Sequence, residues 1–201
     1  TVVIFIGDNG FMVGHSGLLG KGNARRLALS DTGRILRHST RPNMYDDSVK
    51  VPFIIRWPEV VRKGSVNDAL VSTLDILPTL SELAGIETIP QTDGQSLLPL
   101  LREQDDITWR ENYLDTYDMV YLGDEGEKPH MRMIRSDNWK LVLYMDENGQ
   151  PLDGGRRHEL FDLKTDPDEL TNLYGKPIAK QIQQTFESRL LEWMRKTSVH
   201  P

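Results

Sequence analysis

Five β-branched and aromatic residues, Val2 to Ile6, run without a polar break into Gly7-Asp8-Asn9-Gly10. This junction constrains the fold more than any other stretch. A continuous apolar run of this length reads as a strand covered on both faces, the habit of parallel strands in α/β layers. In such layers ligands bind beyond the carboxyl ends of the strands. Asp8 and Asn9 stand at that position, with the hard oxygen donors that Ca²⁺ or Mg²⁺ take. Gly10, Gly14, Gly17, Gly20 and Gly22 follow, with His15 and Lys21 among them. Glycines let a backbone bend closely around a ligand, and a lysine supplies a point charge suited to an oxyanion. The competing reading is an ordinary Asn-Gly turn after a strand, with Lys21 a solvated lysine and His15 a hydrogen-bonded loop histidine. His38 and Arg41, in "RHSTRPNMYDDS", suit an anionic substrate or, equally, a polar surface loop.

"VPFIIRWP", residues 51–58, is a second apolar strand, closed by Pro58. Residues 70–73 read as a short strand leading into a helix with Asp75 as its N-cap, Pro78 in the first turn and Gly85 as its stop. Leu77, Leu80, Leu83 and Ala84 give that helix an apolar stripe. Strands alternating with helices argue for an α/β layer fold. Residues 20–48 are polar and irregular, with one helical turn expected at 44–48, and a long irregular loop in a compact domain is disordered or functional. After about residue 105 the pattern changes. "MRMIR" and "WKLVLY" alternate around Ser136-Asp137-Asn138, and "HELFDL" follows as a third strand, an antiparallel meander. Ile178, Ile182, Phe186, Leu190 and Trp193 mark a last amphipathic helix. Two parts are expected: residues 1–105 in the larger α/β layer, and 106–201 as a small antiparallel sheet with the C-terminal helix across it.

The 201 residues carry 24 Lys and Arg against 30 Asp and Glu, a net charge of -6. With no basic run, the balance argues against a nucleic-acid partner. Without cysteine there is no disulfide, thiolate metal site or cysteine nucleophile. No stretch approaches the roughly 20 apolar residues of a membrane span. The opening strand has no lead-in, so the chain reads as the interior of a longer polypeptide, and a missing leader then says nothing about localisation. Such an apolar edge also favours self-association.

Taken in order, "DNG", "GHSGLLGKGN", "RPNMYDDSVKVPFIIRWP", "LVSTLDILPTLSELAG" and "DGQSLLPLL" resemble the C-terminal part of the formylglycine-dependent sulfatases, relatives of alkaline phosphatase. "MRMIRSDNWKLVLY" with "HELFDLKTDPDELTNL" is similar to the small C-terminal subdomain of the same enzymes. The resemblance covers nearly all of residues 1–198. It implies an alkaline-phosphatase-like α/β fold and hydrolysis of sulfate esters on a carbohydrate or aryl substrate. It implies that Asp8 and Asn9 ligate a calcium ion beside the sulfate, and that Lys21 contacts a sulfate oxygen. It also implies a periplasmic or secreted location. The family's nucleophile, a formylglycine made from Cys or Ser in Cys/Ser-x-Pro-x-Arg, has no counterpart in this chain. By resemblance it belongs to an N-terminal half, with further metal ligands, and the chain alone is expected to be inactive. The sequence departs from the pattern at Gly14-His15-Ser16-Gly17, where relatives read Gly-Glu/Asp-His-Gly. His15 is therefore a candidate substrate-pocket residue without an inherited role, and His38 and Arg41 are weaker ones. The resemblance leaves two alternatives open: a phosphodiesterase or phosphonate hydrolase of the same superfamily, or a non-catalytic calcium- or glycan-binding module.

Overall fold

The computed structural model describes residues 1–29, 32, 35–86, 91–118, 130–153 and 157–197. They form two compact units, residues 1–6 with 52–113 and residues 7–51 with 114–201.

In the first unit β1 (Val3–Ile6) pairs with β6 (Phe53–Arg56), Val3 opposite Arg56 and Ile6 opposite Phe53. The pairing is antiparallel, and Val3, Phe5 (62% exposed) and Ile54 lie open. The expectation of a parallel strand covered on both faces is thus corrected: among the described residues of this unit β1 has β6 as its one strand neighbour, and Val3 and Phe5 lie exposed. The expected strand at 70–73 is also replaced. Ser72 and Asp75 form a capping box, Ser72 Oγ accepting from Leu74 N–H and Asp75 Oδ2 from Ser72 N–H at 2.7 Å, which winds 73–75 into a 3-10 turn. Helix α2 (Ile76–Leu83) follows and ends before Gly85, whose φ of 69° makes the helix stop that was expected.

The buried face of α2 is not the leucine stripe. Pro78, Thr79 and Ser81 point inward, while Leu77 and Leu80 are exposed. Polar anchors set this orientation. Asp75, fully buried, accepts from Gln95 N–H at 2.8 Å and from Arg110 Nη2 at 2.5 Å. Thr79 Oγ1 donates to the Asp75 carbonyl and accepts from Leu97 N–H at 2.8 Å. A buried polar group without a partner costs more than an exposed leucine gains, so these bonds decide which face turns in. Helix α3 (Leu98–Leu101) closes the unit.

The second unit has two four-stranded sheets. One has the order β2-β3-β4-β5, from β2 (Met12–Val13), β3 (Leu18–Gly20), β4 (Arg25–Leu29) and β5 (Ile35–Thr40). Residues 20–48 are therefore not an irregular loop: a β4–β5 hairpin precedes the helical turn α1 (Asp46–Val49), which sits close to where the sequence placed one. The other sheet has the order β10-β9-β8-β7, from β7 (Tyr113–Asp118), β8 (His130–Arg135), β9 (Trp139–Met145) and β10 (Glu159–Asp162). Here the meander stands as read, with β7 an edge strand the sequence did not reveal.

Strand β9 is buried on both faces. Leu141, Leu143 and Met145 join Ile134 and Leu160 under helix α4 (Lys180–Thr197), which contributes Phe186, Leu190 and Met194. The opposite face carries Lys140, Val142 and Tyr144 toward residues 41–46, Tyr144 Oη donating to Pro42 O at 3.2 Å and Lys140 Nζ to Met44 O at 2.9 Å. The expected stripe on α4 holds at Phe186 and Leu190. Ile182 and Trp193 pack half-buried against the same core, whereas Ile178, 90% exposed, precedes the helix, and Ala179 and Met194 are buried beside the stripe. Phe186→Ala should cost roughly 3–5 kcal/mol, the usual price of a core phenylalanine truncation, read as a lower urea midpoint at unchanged slope.

His158 is buried between sheet and loop, edge-on to Tyr174. Its Nδ1 accepts from Tyr144 N–H at 3.1 Å, which leaves Nε2 to donate to Leu152 O at 3.2 Å. Burial pushes its pKa down, partly opposed by the Leu152 carbonyl and Glu187. With the folded value below the unfolded one, the unfolded chain takes up the proton first. The stability His158 contributes is complete above pH about 6.5 and falls as pH drops below it. Urea unfolding of wild type and His158→Asn from pH 7.5 to 5 should show the gap between them closing on acidification.

Candidate functional site

Residues 41–49 are tied to β8, β9, β10 and Glu169 chiefly by charge. Asp46, at the start of α1, accepts from Arg135 Nε at 3.1 Å and Nη2 at 2.8 Å, and faces Lys140 Nζ at 2.6 Å. Lys140 has no exposed surface and also faces Glu169 Oε1 at 2.5 Å. Glu169 Oε2 closes the circuit by accepting Asp46 N–H at 2.6 Å. Burial pushes the Asp46 carboxyl up, yet Arg135 and Lys140 overcome it and hold the carboxyl at about 2. Burial raises the Glu169 carboxyl despite Lys140. Two cations and two carboxylates out of water are tolerable only because each has a partner.

Arg41, its side chain 35% exposed, pairs with the buried Glu159. Its Nη2 donates to Glu159 Oε1 and to Tyr45 Oη, both at 2.8 Å, and Tyr45 Oη donates to the same carboxylate at 3.2 Å. Burial raises the Glu159 carboxyl, with Arg41 opposing. The Arg41 guanidinium thus ties residue 41 to β10. His38 belongs to β5 by its backbone, and its side chain lies outside the described residues.

The three glycine-rich loops all fasten to this segment. Gly10 N–H donates to Ser48 O at 3.0 Å, and a Cβ at Gly10 would overlap the Asp47 carbonyl. Only glycine fits there. Next to it, Asp8 is exposed and its Oδ1 accepts Asn9 N–H at 2.9 Å, while Asn9 Nδ2 donates to Gly10 O at 2.9 Å; among the described residues Asp8 Oδ2 and Asn9 Oδ1 have no hydrogen-bond partner. The loop that follows carries His15, whose Nδ1 bonds Asp47 Oδ2. Gly14 at φ 113° and Ser16 at φ 53° give it a left-handed path, costly for a serine. The third loop is held by Asn43, 1% exposed. Asn43 Nδ2 donates to Lys21 O at 3.1 Å, Asn43 N–H to Gly22 O at 2.8 Å, and Asn43 Oδ1 accepts from Ser48 Oγ at 2.7 Å. The Lys21 side chain is exposed, and among the described residues its ammonium has no hydrogen-bond or ion-pair partner.

Asp8, Asn9, His15 and Lys21 are therefore mounted on one support, through Ser48, Asp47 and Asn43. That support was missed in the sequence; "NMYDDS" was visible, but an asparagine and two acids show no partner until the chain folds. Among the described residues no three His, Asp or Glu side chains gather as a metal cluster. Two free hard oxygens on adjacent residues fit calcium by donor type, and they are a fraction of the 6–8 it takes.

The family model for N-sulphoglucosamine sulphohydrolase, C-terminal, matches residues 38–196. Arylsulfatase K of Gallus gallus is 34% identical over 163 residues, 79% of this chain and 28% of that protein. An N-acetylglucosamine-6-O-sulfatase of Bacteroides thetaiotaomicron is 27% identical over 179 residues, 88% of this chain and 27% of that protein. The chain thus spans less than a third of these relatives. In fold it is similar to the phosphonate monoester hydrolase of Agrobacterium radiobacter, with a TM-score of 0.72 at 24% identity over 99% of this chain and 36% of that one, a likeness of fold alone. By the family match over most of its length, the chain belongs to the N-sulphoglucosamine sulphohydrolase C-terminal family.

Proposed function

We propose that the protein containing this chain is a sulfuric ester hydrolase acting on sulfated carbohydrate, and that this region supplies part of its calcium site and one sulfate contact. The observation that carries the reading is the common support: the Asp8-Asn9 turn and the Lys21 loop are both tied to residues 43–48. Sulfatases among the relatives support the reaction, and one of them is named for N-acetylglucosamine 6-O-sulfate chemistry. Asp8 and Asn9 would help to hold the calcium ion, which would supply stabilisation of negative charge on the sulfate oxygens. Lys21 directs its ammonium at the same group. As the S–O bond to the leaving alcohol breaks, the oxygens gain charge and the lysine's attraction grows. Residues 1–201 hold neither cysteine nor Ser-x-Pro-x-Arg, so they do not provide the formylglycine that such enzymes use. A periplasmic or secreted location belongs to the same proposal, supported by the resemblance alone.

The test sets a sulfate ester against a phosphonate monoester and a phosphodiester with the same aryl leaving group, using the full-length protein. The sulfate should have the highest kcat/KM. A preference for phosphonate or phosphodiester would replace the sulfatase reading with the alternative of the same superfamily, and turnover of none would favour a non-catalytic module.

A further inference from the structure

His15 is a position the family resemblance does not explain, and its surroundings are unusual. The ring is 57% exposed, yet it is not loose: Nδ1 is taken by Asp47 Oδ2. Asp47 lies on α1 between Asp46, locked by Arg135 and Lys140, and Ser48, whose carbonyl holds Gly10. The imidazole is therefore anchored on the same turn as the Asp8-Asn9 pair. The backbone that carries it is strained at Ser16, and a Cβ at Gly14 or Gly17 would meet nothing within 4 Å, so the loop stands in open space. Strain that packing does not require marks a functional loop. With Nδ1 engaged, Nε2 has no hydrogen-bond partner among the described residues. It accepts a hydrogen bond in the neutral ring and donates one in the charged ring. A hydroxyl group satisfies both states, because it donates and accepts.

We infer that His15, oriented by Asp47, is a substrate-binding residue that hydrogen-bonds through Nε2 to a hydroxyl of the sugar bearing the sulfate. Asp47 is a positioning residue, fixing which ring nitrogen faces out. The inference rests on the sulfatase reading and adds a discriminating contact to it: Lys21 serves any sulfate ester, and His15 serves only one carrying a hydroxyl.

The experiment uses the full-length protein and two substrates, glucosamine 6-sulfate and 4-nitrophenyl sulfate, which has no hydroxyl. His15→Ala should lower kcat/KM on the sugar sulfate by roughly tenfold, the size of one lost hydrogen bond to an otherwise well-placed group, chiefly through KM. It should leave the aryl sulfate within twofold. Asp47→Ala should give the same sugar-selective loss, smaller in size, with the melting temperature unchanged. Equal losses on both substrates, or no loss on the sugar, would overturn the inference while sulfatase activity stood. Turnover of neither substrate by the wild-type protein would remove the sulfatase reading and this inference with it.

Discussion

Replacing Lys21 with alanine in the full-length protein should lower kcat by roughly 10²–10³, the loss typical of one preorganised contact to a developing oxyanion. KM should change less, because the ammonium's attraction is greater in the transition state than for bound ester. The structure supports this at the level of the backbone. Asn43, itself buried, clamps Lys21 O and Gly22 O, so the loop keeps its path when the side chain is removed. The Lys21 ammonium has no partner among the described residues, so alanine disrupts no internal ion pair. Lys21→Arg should recover little, since a planar fork does not replace a compact point charge. Steady-state kinetics with an aryl sulfate measures both effects. A Lys21→Ala protein with unchanged kcat removes Lys21 from the site.

Lys140→Met should destabilise the second unit by roughly 3–5 kcal/mol, the cost of leaving buried charge without its partner. The methionine fills the volume, so the loss is electrostatic. Glu169 loses its cation, and Asp46 keeps only Arg135. The double variant Lys140→Met with Glu169→Gln should regain part of the loss, because it removes the orphaned carboxylate. Activity should fall with stability in the single variant, since Asp46 anchors the turn that holds Gly10 and His15. The network also has a pH signature. The folded Asp46 carboxyl, at about 2, lies below its ordinary value. Its contribution is complete above pH about 4 and is lost as pH falls toward 2. The raised Glu169 carboxyl works the other way, losing stability as pH rises. Urea unfolding of Lys140→Met against wild type reads the first effect, and equal midpoints would show that the buried network contributes nothing.

What the sequence made legible was local. The β8–β9 hairpin was readable because alternation and a Ser-Asp-Asn turn are encoded within a dozen residues, and Phe186 with Leu190 because four-residue spacing needs no partner to be seen. The Asp8-Asn9-Gly10 turn and the Lys21 loop were legible as candidates for the same reason. The failures are long-range. Leu77 and Leu80 looked like a buried stripe, but bonds from Asp75 to Gln95 and Arg110, and from Thr79 to Leu97, turn the helix the other way. The support of the site was hidden because its contacts span the chain: His15 meets Asp47 across 32 positions, Lys140 meets the Met44 carbonyl across 96, and Arg41 meets Glu159 across 118. A charge in a sequence carries no sign of its partner. Arg41 shows the consequence, since its pairing with Glu159 could not be read from the sequence.

The most direct test of the proposed role of this region is a calcium titration of sulfate release. The full-length protein is stripped with chelator, calcium is restored in steps, and free sulfate from a sulfated glucosamine is measured for wild type and Asp8→Ala. Losing one of the few charged ligands should raise the calcium needed for half-maximal release by at least about tenfold, with Asn9→Ala shifted in the same direction. An Asp8→Ala protein with the wild-type calcium dependence would contradict the assignment of the Asp8-Asn9 turn to the metal site.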